Sequence, residues 1–142
     1  MYKVVIADDR SIVREGLHIL LQSCGEYAIT GEATNGKEAI EQSLALAPDL
    51  LLTDLKMPGI SIIDGVKTLK DTYPAMKIII LTAFDESEDI YRAIKAGVDG
   101  YLMKDTSPEV ILSVIDDVMK GASIFQPKEN RADDSGIRRS ML

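Results

Sequence analysis

The chain has 142 residues, enough for one domain with a substantial core. Its formal net charge of -7 disfavours nonspecific nucleic-acid binding, and no stretch approaches the roughly 18 apolar residues of a membrane span. Cys24 is the only cysteine, which excludes an internal disulfide and suits a reducing compartment, the cytoplasm.

Met1 runs directly into Val4-Val5-Ile6, so a chain without a signal peptide is expected. These β-branched residues are continuous, as in a parallel strand buried on both faces, and the run ends in Asp8 and Asp9. Val13, Leu17, Leu20, Leu21 and Cys24 then follow at helical spacing, with Ser11 as the expected N-cap and Gly25 as the stop. Cys24 ends this stripe and reads as a buried, inert thiol. His18 has no Cys, His or acid at ligand spacing beside it and reads as a surface or boundary residue. Residues 27–33 alternate, which suits an edge strand with one wetter face. Asn35-Gly36 reads as a turn, and Ala39, Ile40, Leu44 and Ala47 as a second helix closed by Pro48.

Leu50-Leu51-Leu52 repeats the first pattern and ends in Asp54, ahead of a turn-rich loop, Leu55-Lys56-Met57-Pro58-Gly59. A third helix holds Val66, Leu69 and Lys70 and stops near Tyr73-Pro74. The fourth strand, Ile78 to Leu81, ends in Thr82, and the next helix, with Ile90, Ala93 and Ile94, stops at Gly97. A fifth strand over about 99–103 ends in Lys104, and Ser107-Pro108-Glu109 starts the last helix. Five strand–helix alternations predict a parallel sheet with right-handed crossovers. Gln126 to Leu142 is polar and aperiodic, a linker, a tail or a remnant of expression, and its Arg138-Arg139 pair is too short for a nucleic-acid patch.

The chemistry sits at the strand ends. Asp8, Asp9, Asp54, Thr82 and Lys104 all fall at the carboxyl edge of the sheet, where open α/β sheets bind ligands. Three carboxylates at one edge repel each other, and hard oxygen donors with room for water suit Mg²⁺. Lys104 offers a compact positive charge and Thr82 a hydroxyl for phosphate oxygens. A carboxylate that accepts a phosphoryl group needs these aids, because charge spreads over the equatorial oxygens during transfer.

Residues 1–124 resemble the receiver domain of bacterial two-component response regulators. The resemblance rests on Asp8-Asp9, Asp54 with Met57-Pro58-Gly59, Thr82-Ala83 and Lys104. Val13-Arg14-Glu15-Gly16-Leu17 and the stretch from Ala96 to Asp105 are similar to regulators carrying a LuxR-type DNA-binding domain. It implies a flavodoxin-like α/β fold, a five-stranded parallel sheet in the order 2-1-3-4-5 with helices on both faces. It also implies that Asp54 accepts a phosphoryl group from a sensor histidine kinase. Asp9, Asp54 and the backbone carbonyl of Lys56 would bind Mg²⁺ directly, with Asp8 acting mainly through water. Lys104 would contact the phosphoryl group, Thr82 would move toward it, and Tyr101 would reorient, changing the face made by the fourth and fifth helices and the fifth strand. Such a domain performs only its own phosphotransfer and dephosphorylation, and it reaches DNA only through a C-terminal domain that this sequence lacks.

Two positions depart from the family pattern. Ile62 stands eight residues after Asp54, where the family usually has glycine. Asp105 follows the lysine where many receivers have proline; a cis bond without proline costs about 3 kcal/mol or more, and the isomer is left open. Two other classes share part of the pattern: a Mg²⁺-dependent phosphatase working through an aspartyl phosphate, and a degenerate receiver that binds partners without phosphate. In the last helix, Ile111, Ile115 and Val118 form the stripe expected on the sheet, while Leu112 and Met119 fall outside it. That wide apolar arc points to a homodimer strengthened by phosphorylation.

Overall fold

The computed structural model describes residues 1–83 and 87–125. Strands β1 (Tyr2–Ala7), β2 (Tyr27–Ala33), β3 (Leu50–Thr53), β4 (Lys77–Thr82) and β5 (Gly100–Met103) alternate with helices α1 (Ser11–Gln22), α2 (Gly36–Leu46), α3 (Ile62–Thr72), α4 (Ser87–Ala96) and α5 (Pro108–Met119). A two-residue strand, β6 (Ile124–Phe125), follows α5. All pairings are parallel and the order is β2-β1-β3-β4-β5-β6, so the expected order stands with one short strand added beside β5. Two residues carry no periodicity, so β6 leaves no signal in the sequence. The reading of residues 126–142 as linker or tail lies outside the described residues.

Successive strand side chains point to opposite faces. Val5, Leu51, Ile78, Ile80 and Tyr101 pack under α2, α3 and α4 with Ala39, Val66, Leu69 and Ala93. Val4, Ile6, Leu50, Leu52, Ile79 and Leu102 pack under α1 and α5 with Leu17, Leu21, Ile111, Val114, Ile115 and Val118. Two dry faces explain why these strands read as continuous apolar runs. In the edge strand β2, Tyr27 and Ala33 are buried while Thr30 and Glu32 are exposed.

Several local expectations change. Arg10, not Ser11, occupies the N-cap position of α1. The Asp8 carboxylate accepts the Arg10 N–H at 2.9 Å, so the turn before the helix is closed from upstream. Cys24 is exposed, not buried, because α1 stops at Gln22 and Leu21 is its last residue to reach the core. Asn35-Gly36 is the start of α2: the Asn35 side chain accepts the Glu38 N–H at 2.8 Å. A Cβ at Gly36 would lie 2.0 Å from the Ile60 carbonyl oxygen, so the loop after β3 rests directly on this helix end. No peptide bond among the described residues is cis, so Lys104–Asp105 is trans.

The wide arc of α5 is partly absorbed, since Leu112 and Met119 are half-buried against the same cluster as Ile111. Val110 is 40% exposed, and on α1 Ile12 and Ile19 are 76% and 70% exposed. An apolar groove of about 560 Å³ runs between these helices, lined by Val13, Leu20, Pro108 and Ile111 among others.

Ile62 opens α3, whose N-cap is Ser61, and is fully buried among Ile63, Val66 and Leu69. Gly65, one turn on, leaves the space that the Ile40 side chain fills: a Cβ there would lie 2.3 Å from Ile40 Cδ1. The isoleucine is thus part of the core, and Ile62→Ala is expected to cost about 2–5 kcal/mol. Urea unfolding checks this, with the midpoint falling and the slope unchanged.

Candidate functional site

The interstrand hydrogen bonds run one residue past the strands and pin the polar residues there. Asp8 N–H donates to Ala33 O at 3.0 Å, Asp54 N–H to Ala7 O at 2.8 Å, and Lys104 N–H to Thr82 O at 2.8 Å. The backbone therefore delivers Asp8, Asp54, Thr82 and Lys104 to one edge before any side chain is considered. Asp8, Thr82 and Asp54 are buried, with relative exposures of 1%, 0% and 5%, while Asp9 is exposed.

One oxygen from each of Asp8, Asp9 and Asp54 lies within 4.8 Å of the others. Lys104 Nζ stands 2.6 Å from Asp8 Oδ2 and 3.4 Å from Asp54 Oδ2. Asp54 Oδ1 accepts the Leu55 N–H at 2.8 Å, which fixes the carboxylate plane. The carboxyl of Asp54 titrates above its ordinary range. Burial is the main cause; Lys104 opposes the rise, Asp8 adds to it, and the Leu55 N–H opposes it. This donor set fits a hard divalent cation: all oxygen, strongly anionic, and open to water on the Asp9 side.

The structure brings Asp8, Asp9, Asp54 and Lys104 together as expected. Thr82 ends β4 and points to the face that carries Ile78 and Ile80, the α2–α4 side. Tyr101 is fully buried on that same face, at the register position of Ile80. Lys56 sends its side chain away from the acids: Nζ lies 3.1 Å from Asp89 Oδ2 in the first turn of α4. The pair is close but not aligned as a hydrogen bond. Asp89 is buried, and Arg92 Nη1 lies 3.9 Å from its other oxygen. Neither Asp89 nor Arg14 stands out as a site residue from sequence. The available signal for Arg14 was a cation within two helical turns of the acidic pair.

The sequence profile described as response regulator receiver domain matches residues 4–116. The chain is 41% identical over 127 residues to the transcriptional regulatory protein YdfI of Bacillus subtilis, covering 89% of this chain and 59% of YdfI. It thus spans about three fifths of that relative's length. It superposes with a TM-score of 0.83 on a two-component response regulator of the LuxR family from Aurantimonas sp., at 26% identity and covering 93% of this chain and 94% of that one. The isolated REC domain of RcsB from Salmonella enterica serovar Typhimurium gives 0.81 at 26% identity, covering 92% and 96%.

The raised folded-state pKa of Asp54 has a thermodynamic consequence. The native state holds this proton more tightly than the unfolded chain, so ionised Asp54 costs stability at neutral pH. That cost shrinks as pH falls through the raised folded value and is gone below the ordinary 3.8. Asp54→Asn is therefore expected to raise the melting temperature in chelator at pH 7, by an increment that narrows toward acid pH. Thermal unfolding at stepped pH checks this; an equal or lower melting temperature for the variant at pH 7 would contradict it.

Proposed function

Because the chain belongs to the response regulator receiver domain family, we propose that Asp54 accepts a phosphoryl group from the phosphohistidine of a sensor histidine kinase. The observation that carries this reading is the convergence of Asp8, Asp9, Asp54 and Lys104 at one sheet edge. Asp54 Oδ1 is engaged by the Leu55 N–H, which leaves Oδ2, facing Lys104, as the attacking atom. The new O–P bond forms as the donor's P–N bond breaks, and the bonding pair leaves with the imidazole. Mg²⁺ held by Asp9, Asp54 and the Lys56 carbonyl, with Asp8 acting through water, would offset charge between the carboxylates and the phosphoryl oxygens. Lys104 turns its ammonium from the carboxylates to those oxygens, and Thr82 adds its hydroxyl. Water later hydrolyses the acyl phosphate and restores the carboxylate, so the domain carries a signal and turns over no external substrate beyond its phosphodonor.

The output follows from the same parts. Movement of Thr82 toward the phosphoryl group leaves room on the sheet face it shares with Tyr101, and the surface formed by α4, β5 and α5 changes. In a longer protein this would control transcription through a C-terminal DNA-binding domain, in the cytoplasm. Among the described residues no helix is long and apolar enough to cross a membrane.

Acetyl phosphate with Mg²⁺ is expected to add one phosphoryl mass to the protein and none to Asp54→Asn, read by intact mass. Full labelling of that variant would remove Asp54 from its role. Steady turnover of a generic phosphomonoester would favour the phosphatase reading, and no labelling of the unaltered protein would favour a phosphate-independent receiver.

The phosphorylated form is expected to self-associate as a weak homodimer. Ile12 and Ile19, seven residues apart on α1, share a face and line the groove with Pro108 and Ile111. They are more exposed than Leu112, so they are the better anchors for an isologous contact. Sedimentation of both forms checks this: Ile19→Lys should weaken the dimer without lowering the melting temperature, and monomers in both forms at high concentration would refute it.

A further inference from the structure

We infer that Arg14 is a positioning residue for the acidic pocket, holding the peptide between Asp8 and Asp9 so that Asp9 faces the shared cation. The inference rests on the reading of that pocket as a metal-assisted phosphoacceptor site. Arg14 lies in the first turns of α1, and its side chain is only 17% exposed. Nη1 donates to the Asp8 carbonyl oxygen at 2.7 Å and Nε donates to Glu32 Oε1 at 3.0 Å. One planar group thus spans the end of β1, the start of α1 and the exposed edge of β2.

The other polar groups of Asp8 are engaged elsewhere. Its N–H donates to Ala33 O, its Oδ1 accepts the Arg10 N–H, and its Oδ2 lies on Lys104. The carbonyl is the remaining handle, and it belongs to the peptide plane that leads into Asp9. Rotation of that plane swings Asp9, the exposed member of the three acids, away from Asp8 and Asp54. A guanidinium suits this task better than an ammonium because its donors are fixed in a plane and can serve two acceptors at set angles. It also acts without occupying a carboxylate oxygen of Asp8, Asp9 or Asp54, whereas Lys104 sits on oxygens of Asp8 and Asp54. Glu32 lies against Arg14 and offsets much of its charge, so orientation is the larger part of its effect. His18 Nδ1 lies 3.7 Å from Glu32 Oε2.

Partners that orient metal ligands from behind contribute about 10–100-fold to metal affinity. Arg14→Ala is expected to weaken Mg²⁺ binding about tenfold by calorimetry. It should raise by the same factor the Mg²⁺ needed for half-maximal labelling by acetyl phosphate, while the rate at saturating Mg²⁺ stays within about twofold. Arg14→Lys, which can still donate to the carbonyl, should recover part of the affinity. A lower melting temperature in chelator with an unchanged Mg²⁺ requirement would mean a merely structural role and would overturn the inference. If Arg14→Ala does not fold, Glu32→Ala removes one anchor of the guanidinium; a smaller loss in the same direction supports the inference and unchanged Mg²⁺ affinity refutes it. The unaltered protein separates the two readings. If it binds Mg²⁺ but takes no phosphate, the phosphoacceptor reading fails while calorimetry still decides Arg14; if it binds no Mg²⁺, both fail.

Discussion

Repulsion among Asp8, Asp9 and Asp54 is the constraint on which the rest of this structure depends. Three carboxylates within a few ångströms, two of them buried, oppose compaction unless something holds them. Here the hold is distributed. The Lys104 ammonium supplies the opposite charge, the backbone bonds beyond the strand ends fix the positions, and the Leu55 and Arg10 N–H groups take one oxygen each of Asp54 and Asp8. The parallel sheet makes this possible, because every strand delivers its carboxyl end to the same edge. The large two-sided apolar core offsets what the edge costs.

The loops at that edge are not independent of the helices. The backbone at Gly36 meets the Ile60 carbonyl so closely that the loop after β3 and the start of α2 behave as one surface. The same loop reaches α4 through Lys56 and the buried Asp89, and Arg92 carries the chain of charges on toward Asp64 of α3 at 3.9 Å. A shift of the loop around a phosphoryl group would therefore be felt at α4 through an ion pair, as well as through the strand carrying Tyr101. A switch needs two arrangements of such contacts, one of them favoured by phosphorylation.

Most of the fold was legible because its signals are local. Val4 to Ile6, Leu50 to Leu52 and Ile78 to Leu81 announce buried parallel strands, and the polar residue closing each run marks the functional edge. Ser107 at the start of α5 behaves as its sequence suggests: its side chain accepts the Val110 N–H. What escaped was tertiary. Ser11 looks like a cap, but the Asp8 side chain closes that turn first. Cys24 continues a helical spacing on paper, yet the helix has ended before it arrives. Ile62 departs from the family pattern, and only the packing shows its bulk to be fully buried in the cluster with Ile63, Val66 and Leu69. Arg14 and Asp89 each make one contact with a residue far along the chain, Glu32 at 18 and Lys56 at 33 positions away, and no period in the sequence encodes those.

The two residues of β6 have a consequence for how separate molecules meet. Ile124 packs toward the α1–α5 side and Phe125 toward the other, so this short strand clamps both faces of β5 while pairing with Gly100 and Tyr101. Without it, β5 would be a border strand with a row of bare N–H and C=O groups, the template on which another chain adds itself. The opposite border, β2, is guarded differently, by the exposed Thr30 and Glu32 and by the side chain of Gln42, which donates to Glu32 O at 2.6 Å. A version of this protein shortened to end before Ile124 would keep its acids and its core but lose one of these guards, and would be prone to aggregate edge to edge.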